Sequence, residues 1–397
     1  MKHRMYLVLA MLVLLALVGS IFSIDCAAPA PKEPIKIGVI LGLTGYMADA
    51  DSYSKKAVDL YAETMNPEIN GRPVQFIIED DATDPSQSMD KARKLIDVDK
   101  VCMTIGPTDS GCATADLGYN DRMEVPNLAI SCHSAPIPRT YKWVWLPRGI
   151  DRACTYAMGV FMYEVDGIRT AVGMYPDFVC GHDTADGFRE GFESRGGKVV
   201  QEQFFPPDVK DFAPYIAKIE KADALVGMFS AVGAYTQIEE FGIKIPKYIY
   251  FSVLEAPAIQ QEVDIGYGWN VVTPWSYAVD APGTKEFVAA YEKKYGEKPY
   301  EEAGDMWSDI QIAMDVLKRT GGDTSSDKLE KALNETNLVT VTGLISFGLD
   351  HIAANHFYAF RFEKVGGVWE HKIVGEYEVK VTGHKGETYA LEAVRIK

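Results

Sequence analysis

The stretch IGPTDSGCATA (residues 105–115) places small and hydroxyl-bearing residues between an apolar run and a helical pattern. Ser110 and Gly111 stand where the helix should begin. The free N–H groups at a helix start, together with a hydroxyl, favour an anion such as a carboxylate. Capping of the helix by Asp109 and Ser110 explains the same residues, and the two roles are compatible.

A second stretch, ISCHSAP (130–136), repeats this arrangement with Ser131 and Ser134, whose short side chains let a ligand approach the backbone. Other predicted strand ends offer apolar and acidic residues: Phe178, Phe229, Ser230 and Glu255. An acidic side chain in a closed cleft can accept charge-assisted hydrogen bonds from an ammonium group. An aromatic residue at a strand end also has a simpler role in the core. Together these residues predict a cleft with donors on one wall and apolar faces on the other.

Motifs for catalysis or cofactor binding are missing from the sequence. GVILGLTGY (38–46) lacks both the Lys-Ser/Thr of a phosphate-binding loop and the glycine spacing of a dinucleotide-binding turn. The seven histidines are scattered, and no H-E-x-x-H or G-x-S-x-G pattern occurs. Asp80-Asp81 looks like an acid/base pair, but it closes a strand before the turn ATDPS, where helix capping is favoured. We therefore expect no enzyme, no cofactor and no metal site.

Alternating strands and helices must position these residues. Near-continuous apolar runs, typical of strands covered on both faces, predict strands at 35–41, 73–80, 101–106, 126–131, 142–147, 169–175, 198–204, 223–229, 247–252 and 270–273. Helical periodicity occurs between them at 52–65, 88–98, 183–195, 211–221 and 234–242. Two successive rounds of this alternation predict an α/β fold with two doubly wound, Rossmann-like lobes.

The pattern changes after Pro274. Two long helices are predicted at 284–296 and 303–321, and antiparallel strands follow around a turn at Gly366-Gly367. We therefore expect the chain to finish by returning to both lobes. This predicts a hinge made of several strands instead of a single linker.

The composition limits the partners. The chain has 397 residues, 24% of them charged, and a formal net charge of −16. A strongly acidic surface disfavours nucleic acid and anionic membranes as partners. None of the six cysteines shows C-x-x-C spacing, which disfavours a structural zinc site. Cys112 and Cys132 are candidates for a disulfide in an oxidising compartment, and buried free thiols are the alternative.

The first residues resemble an export signal. Basic residues at 2–4 precede an apolar run at 5–19, which is shorter than the ~20 residues that span a bilayer. A retained anchor is the alternative. Cys26 stands where a bacterial lipoprotein carries its lipidated cysteine, and cleavage after Ala28 or Ala30 is the other route. The expected organisation is a signal at 1–26, a flexible leader at 27–34, lobe 1 at 35–150 plus 276–345, and lobe 2 at 151–275 plus 346–397.

Several of these stretches resemble the leucine/isoleucine/valine-binding family of extracytoplasmic solute receptors: IKIGVILGLTG, DDATDPSQS, IGPTDSGCATA, PDFVCGHDTADGFREGFESRGGKVV and KDFAPYIAKIEKADALV. The likeness runs in order from about residue 35 to 320. It implies a periplasmic binding protein of type I that acts outside the cytoplasmic membrane. Such a receptor captures a small ligand by lobe closure and delivers it to an ABC import permease. We expect a monomer.

The resemblance also implies roles for residues. In the family, a serine at the position of Ser110 and a small-residue segment matching Ser134-Ala135 hold the ligand carboxylate. The loop after TG supplies a contact, here Tyr46 or a neighbour. The acidic residue that grips the amino group corresponds approximately to Glu255.

In the family, the turn around Phe178 usually has the sequence Asp-Tyr-x-Tyr-Gly. Here Phe178 and Cys180 stand in place of the two tyrosines, which removes two phenol hydroxyls. A hydrophobic or branched-chain amino acid is the default ligand. An aromatic or aliphatic carboxylic acid or an amide is the alternative ligand class. A ligand-binding sensor domain is the alternative function.

Overall fold

The computed structural model describes residues 32–130, 141–229, 231–250, 268–348, 350–353, 355–382 and 389–396, together with His3 and Met5. Most of the predicted signal and of the leader lies outside these residues, as do five predicted ligand contacts: Ser131, Ser134, Ala135, Ser230 and Glu255. Residues 34–397 form a unit of their own. Within the described part of the chain, no helix has the length and apolarity needed to cross a bilayer.

The first sheet has six strands in the order β2-β3-β1-β4-β5-β6. Their bounds are β1 Ile35–Leu41, β2 Glu68–Ile69, β3 Arg72–Asp80, β4 Met103–Ile105, β5 Asn127–Leu128 and β6 Val144–Trp145. All neighbours pair in parallel except β2 and β3. Both Ile37 and Gly38 of β1 are buried, as expected for a central parallel strand covered on both faces.

The second sheet has eight strands in the order β16-β15-β14-β11-β10-β9-β7-β8. The parallel part contains β7 Thr170–Pro176, β8 Lys198–Phe205, β9 Ala224–Gly227, β10 Lys247–Ile249 and β11 Trp269–Thr273. The antiparallel part contains β14 Asn355–Val365, β15 Val368–Thr382 and β16 Ala390–Arg395. The predicted turn joins β14 to β15, and Gly366 and Gly367 both have positive φ. A separate hairpin pairs β12 Asn337–Thr340 with β13 Gly343–Ser346.

Ten α-helices accompany these strands in the described part of the chain. They are α1 Ala48–Met65, α2 Pro85–Arg93, α3 Ser110–Met123, α4 Asp151–Glu164, α5 Val179–Ser194, α6 Ala213–Ile216, α7 Val232–Glu240, α8 Thr284–Tyr295, α9 Glu301–Arg319 and α10 Ser326–Asn334. A π-helix, Lys94–Asp99, continues α2. The predicted α/β class with two sheets is confirmed. Helices α1, α8 and α9 share a hydrophobic core with the first sheet, whereas α4 and α5 share one with the second.

Three segments connect the elements of the two sheets: 146–150, 274–283 and 347–353. Leu146 and Ile352 form a parallel bridge, so the first and third segments are hydrogen-bonded to each other. This arrangement matches the predicted multi-strand hinge. The lobe boundaries at 150 and 275 stay a proposal.

The predicted helix at 211–221 is wrong over most of its length, because α6 has four residues. Side chains of β8 occupy the backbone groups that a longer helix would need. The Gln203 amide donates to the carbonyl of Tyr215 at 3.1 Å, and the Gln201 amide donates to that of Lys218 at 3.0 Å. The Gln201 carbonyl in turn accepts from the N–H of Glu220 at 3.1 Å. Tertiary hydrogen bonds therefore override the helical pattern here.

Helices α4 and α5 pack with their backbones close together through glycine. A Cβ atom on Gly191 would fall inside van der Waals distance of the Tyr156 carbonyl oxygen. A Cβ on Gly159 would similarly meet the backbone at Phe188 and Phe192. The helix pair carries the start of both helices to the same sheet edge, so this packing also positions the residues described below.

We predict that Gly191→Ala lowers the free energy of unfolding by about 1–3 kcal/mol, because the added methyl group forces the two backbones apart. Urea denaturation followed by far-UV circular dichroism measures this. The matched control is Gly233→Ala in α7, where the nearest atom to an added Cβ is 3.8 Å away. The control should be neutral or slightly stabilising, since alanine favours helix over glycine. Equal effects in both variants would contradict the prediction.

Candidate functional site

A cavity lies where strands of both sheets reach their carboxyl ends. Its walls come from the segments that follow β1, β4, β7, β8 and β9 and from the start of α4. Parallel strands place these ends at one edge, which is where open α/β sheets bind ligands. The lining residues are Tyr46, Met47, Thr108, Asp109, Ser110, Asp151, Pro176, Phe178, Cys180, Pro207 and Met228.

The wall from the first sheet is built at the start of α3. Asp109 is the N-cap and accepts hydrogen bonds from the N–H groups of Gly111 at 2.8 Å and Cys112 at 3.0 Å. The hydroxyl of Tyr46 donates to the other oxygen of Asp109. The Ser110 hydroxyl makes no hydrogen bond to any described residue. It is therefore the donor that this wall leaves available to the cavity.

Asp51 supports this wall from behind. Its carboxylate is fully buried and accepts from the N–H of Gly42 and the hydroxyl of Thr108, both at 2.6 Å. These two bonds tie α1 to the loops after β1 and β4. Burial raises the pKa of Asp51 to about 7, while the two hydrogen bonds act in the opposite direction.

The wall from the second sheet is apolar and rich in sulfur. Phe178 is the N-cap residue of α5, and Cys180 lies in the first turn of that helix. The thiol of Cys180 lies 3.9 Å from the sulfur of Met228. With Met47 from the opposite side, three sulfur-bearing side chains line the cavity beside Phe178. This wall offers polarisable surface in place of phenol hydroxyls.

A buried carboxylate, Asp151, lies at the base of the cavity. It is the first residue of α4, and its Oδ2 accepts from the thiol of Cys180 at 3.2 Å. Its Oδ1 accepts from the hydroxyl of Tyr250 at 2.5 Å. The guanidinium of Arg148 donates to the same hydroxyl at 3.2 Å. Burial, with Asp151 adding to it, raises the pKa of the Cys180 thiol, so this group stays protonated and donates.

The structure brings together three of the residues that the sequence analysis singled out: Tyr46, Ser110 and Phe178. Gly111 is adjacent, but its N–H is directed to Asp109. Phe229 points away from the cavity and packs in the core against Phe205, Phe212 and Tyr235. We leave Phe229 out of the proposed site, because its ring is buried among these aromatic residues.

Helix capping, the alternative considered for the acidic turns, is present. Asp84 caps α2 by accepting from the N–H of Gln87 at 2.9 Å. Asp80 and Asp81 accept from backbone N–H groups of the turn that they begin. Cys112 is a free, buried thiol, and Cys132 lies outside the described residues, as does the proposed pairing with it. In the described part of the chain, no group of three or more His, Cys, Asp or Glu is arranged around a metal position.

Sequence reasoning missed Asp151 and Met228. Helix α5 begins at Val179, four residues before the predicted start, and this brings Cys180 into the first turn at the cavity. The available signal for Asp151 was its position at a helix start, two residues after Gly149. Anion-binding and capping residues occur at such positions. Its contact with Tyr250 spans 99 positions, which no local pattern reveals.

Comparison with known proteins agrees with this architecture. The sequence profile described as periplasmic binding protein matches residues 34–367. The chain belongs to the periplasmic binding protein family. Members of this family are substrate-binding proteins of transporters and not enzymes, and they act outside the cytoplasm. The resemblance to the leucine/isoleucine/valine-binding proteins is confirmed.

Individual relatives are distant but cover the chain well. A Leu/Ile/Val-binding protein homolog of Brucella suis is 24% identical over 380 residues, which cover 90% of this chain and 95% of the relative. A solute-binding protein of Rhodopseudomonas palustris in complex with 3,4-dihydroxybenzoic acid has a TM-score of 0.79 at 24% identity, covering 87% of this chain and 97% of its own. A branched-chain amino acid transporter substrate-binding protein of Streptococcus pneumoniae, in complex with isoleucine, has a TM-score of 0.77 at 20% identity, covering 86% and 99%. These two structures share the type I fold.

We predict that Asp51 makes the protein less stable as the pH rises. A carboxyl group with a raised pKa in the folded state stabilises the fold below its unfolded pKa, and this contribution is lost as the pH rises through the folded value. With a rise from 3.8 to about 7, the free energy of unfolding should fall by roughly 2 kcal/mol between about pH 5 and pH 8.

The test compares urea denaturation at both pH values for wild type, Asp51→Asn and Asp49→Asn. Asp49 lies on the same helix with an exposed side chain. We expect Asp51→Asn to lose much of the pH dependence and Asp49→Asn to keep it. A pH dependence unchanged in Asp51→Asn would refute the assignment.

Proposed function

We propose that the protein is an extracytoplasmic receptor that captures a small carboxylate-bearing ligand and delivers it to an ABC import permease. The observation that carries this proposal is the Ser110 hydroxyl, which faces the cavity at the start of α3 without a hydrogen-bond partner among the described residues. Asp109 occupies two of the N–H groups of that helix start, so Ser110 is the available side-chain donor of the wall. A helix start with a free hydroxyl is suited to an anion.

Capture follows from the position of the cavity. The residues that line it come from the ends of strands in both sheets, and three segments connect those sheets. A ligand that contacts both walls favours the closed arrangement. Micromolar affinity requires about 8 kcal/mol of net binding free energy. A charge-assisted hydrogen bond to Ser110 and burial of an apolar body against the opposite wall are consistent with that value.

A hydrophobic or branched-chain amino acid is the first ligand class that we propose. The relative from Streptococcus pneumoniae is bound to isoleucine, and the cavity has an apolar wall facing a hydroxyl donor. Tyr46 contributes a half-exposed ring to the entrance, and we propose that it contacts the ligand. Glu255 as the ammonium partner, with Ser131, Ser134, Ala135 and Ser230 as further contacts, stays part of this proposal.

An aromatic carboxylic acid is the second class, and a specific observation favours it. Met47, Cys180 and Met228 line the cavity together with Phe178. Thioether and thiol sulfurs make favourable contacts with aromatic rings, worth about 0.3–1.5 kcal/mol each. The relative from Rhodopseudomonas palustris is bound to 3,4-dihydroxybenzoic acid. We infer that a ring stacked on this wall would place its carboxylate toward Ser110.

Further parts of the proposal concern the whole chain. We propose that residues 1–26 are an export signal, that Cys26 is the candidate lipid attachment site, and that the protein acts as a monomer. A ligand-binding sensor is the alternative function, and it would bind the same ligands without a permease. Reconstitution with the cognate permease separates these two functions.

We predict that a thermal-shift screen identifies the ligand class. The panel pairs isoleucine with 3-methylpentanoate, phenylalanine with 3-phenylpropanoate, and adds benzoate. A ligand present at a hundred times its Kd adds about 2.7 kcal/mol of stability, which raises the melting temperature measurably. A shift with amino acids that is absent with the matched acids supports an ammonium partner. A shift with the acids alone supports the aromatic or aliphatic carboxylate class, and no shift with any compound contradicts both.

We predict that Ser110→Ala weakens binding of the compound found in this screen by about 10- to 100-fold, because a hydrogen bond to a charged group contributes about 1.5–3 kcal/mol. Isothermal titration calorimetry measures the Kd. The control is Ser52→Ala, whose hydroxyl donates to the Asp49 carbonyl at 2.7 Å and does not line the cavity. Melting temperatures of the ligand-free variants show whether the fold is intact. An unchanged Kd in Ser110→Ala would remove the carboxylate role of this residue.

A further inference from the structure

A second cavity lies beside the segments that connect the two sheets. Pro147 and Arg148 border it from the first connecting segment, and Pro274 borders it from the second. Asp305 and Asp309 of α9 and His356 of β14 contribute titratable side chains to its lining. A change in the angle between the sheets must alter these contacts, because two of the three connecting segments border the cavity. We call this space the hinge cavity.

One face of α9 carries four carboxylates beside the hinge cavity: Glu301, Glu302, Asp305 and Asp309. At most 4% of each residue is exposed. The guanidinium of Arg148 forms ion pairs with Glu301, with Glu302 at 3.8 Å and with Asp305 at 3.3 Å. Residues at these spacings are neighbours on a helix, where like charges repel each other. We call these four carboxylates and Arg148 the hinge cluster.

Hydrogen bonds do not pair every carboxylate oxygen of the cluster, as Asp309 shows. It lines the hinge cavity with 3% of its surface exposed, and its Oδ2 is buried without a hydrogen-bond partner in the described part of the chain. Leaving a buried carboxylate ionised and without a partner costs several kcal/mol, so such a group binds a proton instead.

Burial acts on the other members as well. It raises the pKa of Glu302 to about 8, with Arg148 opposing the rise and Asp305 adding to it. Burial raises the pKa of Asp309, Asp305 adds to this rise, and Arg148 again opposes it. The same cause raises the pKa of Asp305. These directions agree with the contacts, since several carboxylates share one guanidinium.

Hydrogen bonds connect the hinge cluster to the ligand cavity. Arg148 donates to the hydroxyl of Tyr250, and this hydroxyl donates to Asp151. Asp151 and its donor Cys180 both line the ligand cavity. The route from the cavity to α9 thus passes through two residues, Tyr250 and Arg148.

We propose that the hinge cluster is a proton-binding site and that ligand capture is accompanied by proton uptake at its carboxylates. The coupling to capture rests on the function proposed above, whereas proton binding by the cluster does not. An anionic carboxylate held at Ser110 lies in the cavity that Asp151 also lines, so it adds negative charge near the start of the hydrogen-bonded route to α9. Additional negative charge favours the protonated form of nearby carboxyl groups. Affinity therefore increases as the pH falls, because a process that takes up protons is favoured at lower pH.

Other charged and titratable groups face the cluster and also influence how strongly it binds protons. They are Asp51 of α1, Asp151 and Cys154 of α4, Tyr250 after β10, and His356 of β14, whose Nε2 lies 2.8 Å from a carboxylate oxygen of Glu376. A substitution at Asp309 tests the cluster separately from the ligand cavity, because Asp309 lines the hinge cavity and not the ligand cavity.

The experiment is isothermal titration calorimetry with isoleucine and with benzoate near pH 7, in phosphate and in Tris buffer. These buffers differ in ionisation enthalpy, so the difference in observed heat gives the number of protons taken up. Both probes keep an ionised carboxylate at this pH. We expect uptake of about 0.2–0.5 proton per bound ligand, which corresponds to an affinity rising roughly 1.5- to 3-fold per unit of falling pH.

The informative variant is Asp309→Asn, which should reduce the uptake by half or more. Glu302→Gln is a second variant and should act in the same direction if Asp309→Asn folds poorly. The matched control is Asp315→Asn on the same helix, where the carboxylate binds Arg319 at 2.7 Å away from the cluster. Control and wild type should take up equal numbers of protons. No uptake in wild type, or the same uptake in wild type and both cluster variants, overturns the proposal.

A measurement without ligand keeps this test independent of the proposed function. The free energy of unfolding of wild type, relative to Asp309→Asn, should decrease as the pH rises from about 5 to 8, because asparagine mimics the protonated acid at every pH. A constant difference overturns proton binding by the cluster, whether or not a ligand is found. Failure of the proposed function has a different signature: neither isoleucine nor benzoate gives a binding heat, while the ligand-free comparison still decides the proton site.

Discussion

The connection between the two sheets depends on the ion pairs and the hydrogen bond that the guanidinium of Arg148 forms. Arg148 lies in the middle of the first connecting segment, with 8% of the residue exposed, and forms ion pairs with carboxylates of α9. Through Tyr250 it also reaches the second sheet. A buried charge is destabilising unless it keeps its partners, so removing any one partner would lower the free energy of unfolding. Arg148 therefore restricts where α9 and the end of β10 lie relative to each other.

In the ligand cavity, too, the polar groups differ in whether they already have hydrogen-bond partners. Asp109 and Thr108 both line it, yet each is engaged elsewhere: Asp109 caps α3 and accepts from Tyr46, and Thr108 donates to Asp51. Ser110 differs because its hydroxyl has no such partner among the described residues. Because Ser110 lines the cavity, its hydroxyl can donate to a ligand there. This difference separates supporting side chains from the one available for binding.

The alternation of strands and helices was predictable because parallel strands buried on both faces leave continuous apolar runs such as IKIGVIL. Their carboxyl ends then located Tyr46, Ser110 and Phe178 at one edge. Contacts between distant positions were not predictable: Gln203 ends α6 by binding the Tyr215 carbonyl, and Asp151 at the start of α4 meets Tyr250 after β10. Phe229 shows a further limit, since the sequence cannot distinguish an aromatic ring facing a cavity from one facing the core.

The apolar wall also limits how selective the receptor is. A hydrophobic pocket separates ligands that differ by one methylene by only about 1–3 kcal/mol, whereas a site built to pair with a polar group rejects ligands that lack it far more strongly. Phe178 carries no hydrogen-bonding group, and Cys180 directs its thiol to Asp151. The second wall therefore discriminates by shape and polarisability. In the proposed site, discrimination by hydrogen bonding would fall to Ser110 and to an acidic partner of an ammonium group, so the charge pattern of the ligand would select its class and the sulfur-rich wall would select only within that class.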